Sequence, residues 1–122
     1  MKRLPESEFE IMKIVWANDP PVTTSLIIRQ LEDKKTWKIQ TVVSFMQRLV
    51  DRGFLRSEKQ GKERVYYPII DRDDYLRFET RYFMHKYHKN SFLSLVNTLY
   101  EYEDITEEEF ETLFQWLKDR RG

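Results

Sequence analysis

Apolar positions recur at helical spacing through the first third of the chain. Phe9, Met12 and Trp16 share one face, with Ile11 and Val15 beside them. Ser7-Glu8-Phe9-Glu10 behind Pro5 has the form of a capping box and predicts a helix to about Ala17. Asn18-Asp19-Pro20-Pro21 then stops it, because two prolines cannot continue a helix. Thr23 or Thr24 can cap a second helix to about Asp33, whose stripe is Ile27, Ile28 and Leu31, and Lys34 to Trp37 make a short connection. A third helix is predicted from about Lys38 to Arg52, with Ile39, Val42, Met46 and Leu49 on its apolar face and Gly53 at the C′ position.

Beyond Gly53 the period changes. Phe54 to Glu58 and Arg64 to Tyr67 are short aromatic and β-branched runs around Lys59-Gln60-Gly61-Lys62, which predicts a β-hairpin. Helical spacing returns at Asp71, a candidate cap for a helix to about Lys89. Tyr75, Phe78 and Tyr82 lie on one of its faces, and Leu76, Phe83 and Tyr87 on another. Phe92, Leu95, Val96 and Leu99 form a further apolar face, and Thr106-Glu107-Glu108-Glu109 is a second capping box before Phe110, Leu113, Phe114 and Leu117. The expected fold class is mainly α with a small β-hairpin. A winged helix-turn-helix occupies residues 1–70 and a helical region occupies 71–122. Three short helices without a sheet make a thin domain, and two apolar stripes on one helix exceed the needs of a monomer. The expectation is a homodimer interleaving Tyr75, Phe78, Tyr82, Phe83, Phe92, Leu95, Val96, Leu99, Phe110, Leu113, Phe114 and Leu117.

Composition narrows this reading. With 40% hydrophobic and 34% charged residues the 122-residue chain is globular in type, and three Gly and four Pro fit a mostly helical chain. No apolar run approaches the ~20 residues of a membrane span, so no membrane insertion and a cytoplasmic location are expected. The absence of cysteine excludes disulfides and thiolate chemistry. Net charge is zero but unevenly spread. Residues 34–64 hold nine basic and three acidic side chains, whereas residues 101–122 hold three basic and eight acidic ones. One region is therefore suited to a polyanion and the other is not.

The outward face of the third helix is unusual. Gln40, Thr41, Ser44, Gln47 and Arg48 replace the mixture of Glu and Lys found on most solvated faces. Amides and guanidinium read base edges, and hydroxyls reach bases or phosphates. Val43 lies beside them, placed to meet a thymine methyl, and Lys38 stands at the helix start. An amide-rich solvated helix is the bland alternative, and the basic hairpin that follows favours the nucleic-acid reading over it. That hairpin carries Arg56, Lys59, Lys62 and Arg64, suited to phosphates; its bland alternative is an edge protected by charge. His85 and His88 lie three apart without a cysteine, and exposed or interface histidines are expected rather than metal ligands. No catalytic constellation is present, so the expectation is a protein that is not an enzyme and needs no cofactor or metal. A winged-helix adaptor that binds protein is the alternative from another class.

Trp16, "TVVSFMQRLVDRGFL" at 41–55, "RVYYPIIDRDDY" at 64–75, "FLSLV" at 92–96 and "YEDIT" at 102–106 give a chain that resembles the penicillinase-repressor (BlaI/MecI/CopY) family of bacterial winged-helix transcriptional regulators. The resemblance covers nearly the whole chain. It implies a homodimeric repressor on an inverted-repeat operator, with control of β-lactam-response (antibiotic-resistance) genes, and DNA contacts at Gln40, Thr41, Val43, Ser44 and Arg48. Gln40 and Val43 stand where staphylococcal relatives carry Lys and Arg. The resemblance also implies release by a protease coupled to a membrane sensor. Where those relatives have an Asn-Phe bond, the aligned bond here is Thr98–Leu99, with Asn97 one residue early. The cysteine cluster of the copper-responsive members is lacking.

Overall fold

The computed structural model describes residues 1–31 and 36–121. The expected end of the second helix at Asp33 and the Lys34-Lys35 part of the connection lie outside these residues. Element order is α1 (Glu6–Ala17), β1 (Val22–Thr23), α2 (Thr24–Leu31), α3 (Ile39–Asp51), β2 (Leu55–Gln60), β3 (Glu63–Pro68), α4 (Arg72–His88), α5 (Phe92–Glu101) and α6 (Glu107–Arg121). Two compact units divide the chain, Met1–Glu79 and Thr80–Gly122.

The first unit is a winged helix. Ile11, Met12 and Val15 of α1, Ile27 and Leu31 of α2, and Val42, Met46 and Leu49 of α3 bury against Val22, Phe54, Leu55 and Tyr66. α1 starts one residue before the expected capping box. Pro5 is its N-cap without a side-chain cap, its carbonyl accepts from Phe9 N–H at 3.0 Å, and Ser7 lies inside the helix. The prolines end α1 as expected; Asn18 turns extended and its Nδ2 donates to the Ile14 carbonyl at 2.7 Å, satisfying an orphan acceptor. Thr23 caps α2, its Oγ1 accepting from Leu26 N–H at 3.1 Å.

The sheet has one strand more than the hairpin expected from sequence. β1 pairs antiparallel with β3 in the order β1-β3-β2, with Val22 opposite Tyr66 and Thr23 opposite Val65. A two-residue strand has no period to read, which is why it is invisible in the sequence. The hairpin loop is also tighter than expected. Gln60 pairs with Glu63, leaving Gly61-Lys62 as the turn, with Gly61 at φ +64°.

Asp71 caps α4 as expected, its Oδ1 accepting from Asp73 N–H at 2.6 Å. Its first turns belong to the winged unit, so the boundary falls after Glu79 rather than after residue 70. Tyr75 is the reason. It is buried, with ring centroids 5.5–6.1 Å from those of Phe9, Trp16, Phe54 and Phe78, and its hydroxyl accepts from Leu4 N–H at 2.8 Å. Trp16 Nε1–H donates to the Ile70 carbonyl at 2.9 Å just before the helix. Burial raises the Tyr75 phenol above its ordinary value, against the Leu4 hydrogen bond that lowers it.

In the second unit, His88 is the one buried side chain among the described residues. Its Nδ1 lies 2.9 Å from Ser94 Oγ and its ring 5.3 Å from that of Phe83. His88 is therefore a packed residue at the α4–α5 corner rather than an exposed one. Ser91 caps α5 by accepting from Ser94 N–H at 3.1 Å, and Thr106 caps α6 by accepting from Glu109 N–H at 3.1 Å, as the second capping box predicts. Neither α5 nor α6 has a buried residue.

Candidate nucleic-acid interface

The inner face of α3 is fixed by Val42, Met46 and Leu49, each at most 1% exposed. That anchoring determines what points out: Gln40, Val43, Ser44, Gln47, Arg48 and Asp51 are exposed, and Thr41 is half-buried. Ile39, assigned to the apolar face from sequence, is 63% exposed and is not buried with Val42, Met46 and Leu49. As the first helical residue it precedes the core-facing turn. It lies one turn before Val43, and this i, i+4 relation was the available signal.

At the start of α3, Lys38 is extended, and its carbonyl accepts from Thr41 and Val42 N–H at 3.0 and 3.1 Å. No carboxylate lies in the first turn. The N–H groups ahead of Thr41 precede the first intrahelical bond, and the helix start carries partial positive charge; with Lys38 beside it, this end suits a phosphate oxygen. The other end closes in a Schellman motif. Gly53 at φ +81° donates to the Val50 carbonyl at 3.0 Å, and Phe54 N–H donates to the Leu49 carbonyl at 2.9 Å. Arg52 Nε lies 2.9 Å from Oε1 of the fully buried Glu8, tying the end of α3 to α1.

Two outward residues are held by neighbours. The Arg48 guanidinium lies 5.8 Å from the Phe45 ring centroid, and Phe45 meets Trp37 edge-on at 5.1 Å. Gln47 Nε2 donates to Asp51 Oδ1 at 3.0 Å, so the acid that would repel phosphate has a local partner.

The wing register sorts its charges. Lys59 lies opposite Arg64 and Ser57 opposite Tyr66, so Ser57, Lys59 and Arg64 share the face that carries Leu55 and Tyr66 nearer the core. Arg64 Nη1 donates to Ser57 Oγ at 3.0 Å. The opposite face holds Arg56, Glu58, Gln60, Glu63 and Tyr67. There the Arg56 guanidinium stacks 4.3 Å from the Tyr67 ring and pairs with Glu58. The four wing bases are thus not equivalent: Lys59 and Arg64 present one basic face, Lys62 sits at the tip, and Arg56 is occupied on the acidic side.

Of the residues assigned to a dimer surface, Tyr75 is in the winged core and Phe78 packs against it, because α4 begins inside that unit. Tyr82, Phe83, Phe92, Phe110, Phe114 and Leu117 are exposed, and Leu95, Val96, Leu99 and Leu113 half-buried. Tyr100 and Phe110 rings, 6.2 Å apart, join α5 to α6. Thr98–Leu99 lies within α5, with Thr98 Oγ1 donating to the Ser94 carbonyl at 3.0 Å. Among the described residues no three His, Asp or Glu side chains converge on a metal site, and no helix is long and apolar enough to cross a membrane.

The sequence profile described as "Penicillinase repressor" matches residues 4–119. The penicillinase repressor of Bacillus licheniformis is 29% identical over 100% of this chain and 97% of its own length. The methicillin resistance regulatory protein MecI of Staphylococcus aureus is 30% identical over 88% of this chain and 86% of its own. The solved DNA-binding domain of the repressor BlaI superposes with a TM-score of 0.53 at 33% identity, covering 62% of this chain and 94% of that one. B. licheniformis BlaI, solved as a monomeric form in complex with the blaP half-operator, superposes at 0.52 and 32% identity, covering 61% and 89%.

Proposed function

The chain belongs to the penicillinase repressor family, and from that premise we propose that it is a homodimeric transcriptional repressor of an inverted-repeat DNA operator. The observation that carries this reading is the exposed face of α3. Gln40, Ser44, Gln47 and Arg48 present amide, hydroxyl and guanidinium groups from a helix whose other face is locked in the core. Helix α3 enters the major groove with Gln40, Thr41, Val43, Ser44, Gln47 and Arg48 toward base edges. Lys38, Lys59, Lys62 and Arg64 take phosphates, and Arg56 joins only by leaving Glu58. That BlaI, which shares the winged-helix fold, was solved in complex with the blaP half-operator supports DNA binding by this unit.

The helices of the second unit hold two chains together, which supports binding to two half-sites rather than one. Control of β-lactam-response genes is the physiological reading that the MecI and penicillinase-repressor relatives support. Release then acts on the dimer. A sensor-coupled protease cutting Thr98–Leu99 must first open α5, which lies in the helical region that holds the two chains together, so cleavage would remove part of the dimer contact. Mass mapping of the chain from induced cells tests this: an intact chain would rule cleavage out.

The protein-binding adaptor has one observation in its favour, the exposed Ile39 and Val43 on α3. Two aliphatic side chains among Gln40, Ser44 and Arg48 fall short of the several hundred Å² that mark a protein-docking patch. Selection from random and genomic DNA, followed by titration over salt with chain stoichiometry, separates the readings. The repressor selects a palindromic site bound by two chains. Weak binding without sequence preference would overturn it.

A further inference from the structure

We infer that Ile39 is a specificity-determining residue of the DNA interface, covering a thymine C5 methyl in concert with Val43. The inference rests on the repressor reading above and adds to it a residue and a base. Ile39 is 63% exposed and Val43 44% exposed on a helix whose remaining large aliphatic side chains are wholly or partly buried. An aliphatic side chain left in water at that position contributes nothing to the protomer's core. It lies one turn from Val43 and about 40° round the helix from it, at the first helical residue, where the side chain overhangs the buried Val42 and Met46 turn and stands in solvent. In the major groove the apolar feature that distinguishes one base pair from another is the thymine methyl; the other edge groups are hydrogen-bond donors and acceptors.

The spacing fits this role. Residues four apart on a helix stand about 6 Å from one another, near the ~7 Å spanned by two base steps at 3.4 Å each. Ile39 and Val43 therefore cover methyls about two steps apart in each half-site, while Gln40, Ser44 and Arg48 address polar edges between and beside them. The position of Ile39 sharpens the assignment. It opens α3, at the end with no carboxylate and with Lys38 as N-cap, where phosphate contact draws the helix start toward the duplex.

The test uses the full chain and the operator it selects, with each thymine of a half-site replaced in turn by deoxyuridine at one salt concentration. Removing a buried methyl weakens binding about fourfold. At one thymine that loss is expected for the wild type and absent in Ile39→Ala; at a second, about two steps away, it is absent in Val43→Ala instead. Ile39→Ala should leave the salt slope unchanged, because no phosphate contact is lost, and the thermal midpoint of the winged unit nearly so, because the side chain is outside the core. Selection of a specific site at which no deoxyuridine effect depends on Ile39 would overturn the inference and leave the repressor reading standing. Failure to select any site would overturn both.

Discussion

At the scale of single residues, the proposed interface divides base reading from phosphate holding by position. Arg48 projects from the exposed face of α3 in its last turn, whereas Lys62 sits at the wing tip. Arg48→Ala should weaken operator binding and relax preference at one base pair, by about 1–3 kcal/mol if its contact is bidentate to guanine. Lys62→Ala should weaken all sequences alike and make the slope of log K against log salt about 0.9 shallower. Titration of operator and random duplex over salt distinguishes the two, and identical behaviour of the variants would refute the docking. Glu8 acts one step behind this surface. It is 1% exposed, and the Arg52 approach to its Oε1 lacks hydrogen-bond geometry, so the contact is an ion pair. Glu8→Ala should lower stability by about 1–3 kcal/mol, below the cost of breaking a fully buried pair, because the one-third-exposed Arg52 can return to solvent. A urea midpoint equal to that of the wild type would show that α3 is positioned without it.

At the scale of elements, the end of α3 and the start of α4 decide how the interface is held. Gly53 at φ +81° has nothing within 4 Å of an added Cβ. Gly53→Ala therefore isolates backbone strain and should cost about 1–2 kcal/mol, a drop of several degrees in thermal midpoint. Tyr75 makes the junction with α4 sensitive to alkali. Its folded phenol titrates above the unfolded value of 10.0 because burial disfavours the anion. Its contribution is complete below about pH 10 and declines from there until the pH passes the folded value, as the unfolded chain releases a proton that the folded chain retains. Tyr75→Phe should lose about 1 kcal/mol at pH 7 with the Leu4 hydrogen bond and flatten that alkaline decline; parallel urea curves at pH 7 and above 10 check both. The same junction marks where sequence stops being legible. Helices α1 to α3, the hairpin and the outward α3 polar face follow from local period and turn chemistry. Whether Tyr75 faces its own core or a second chain does not, because one helical stripe looks the same against either partner. Arg56 and Arg64 likewise differ only once the register places one beside Glu58 and Tyr67 and the other beside Ser57.

At the scale of the whole molecule, charge and apolar exposure separate along the chain. Residues 34–64 carry a surplus of basic groups, whereas residues 101–122 carry a surplus of acidic groups and, with α5, a series of exposed aromatics. An acidic tail gains nothing from approaching DNA, and Phe110, Phe114 and Trp116 within it, with Phe92 of α5, are large aromatics left exposed in the protomer. In the proposed dimer, pairing two chains through these helices would cover the aromatics and link two winged units. The second half-site is then bound intramolecularly, which typically raises affinity 10²–10⁴-fold over one half-site. Phe114 is suited to testing this because it is half-exposed in the protomer, where a substitution leaves the core untouched. Phe114→Glu should dissociate the dimer in sedimentation and reduce affinity for the full operator toward that for a half-site. Half-site affinity and the salt slope per winged unit should stay constant, because α3 and the wing are unaltered. A variant that remains dimeric would move the interface away from α6. A monomeric variant that keeps full operator affinity would show that the second unit serves something other than avidity.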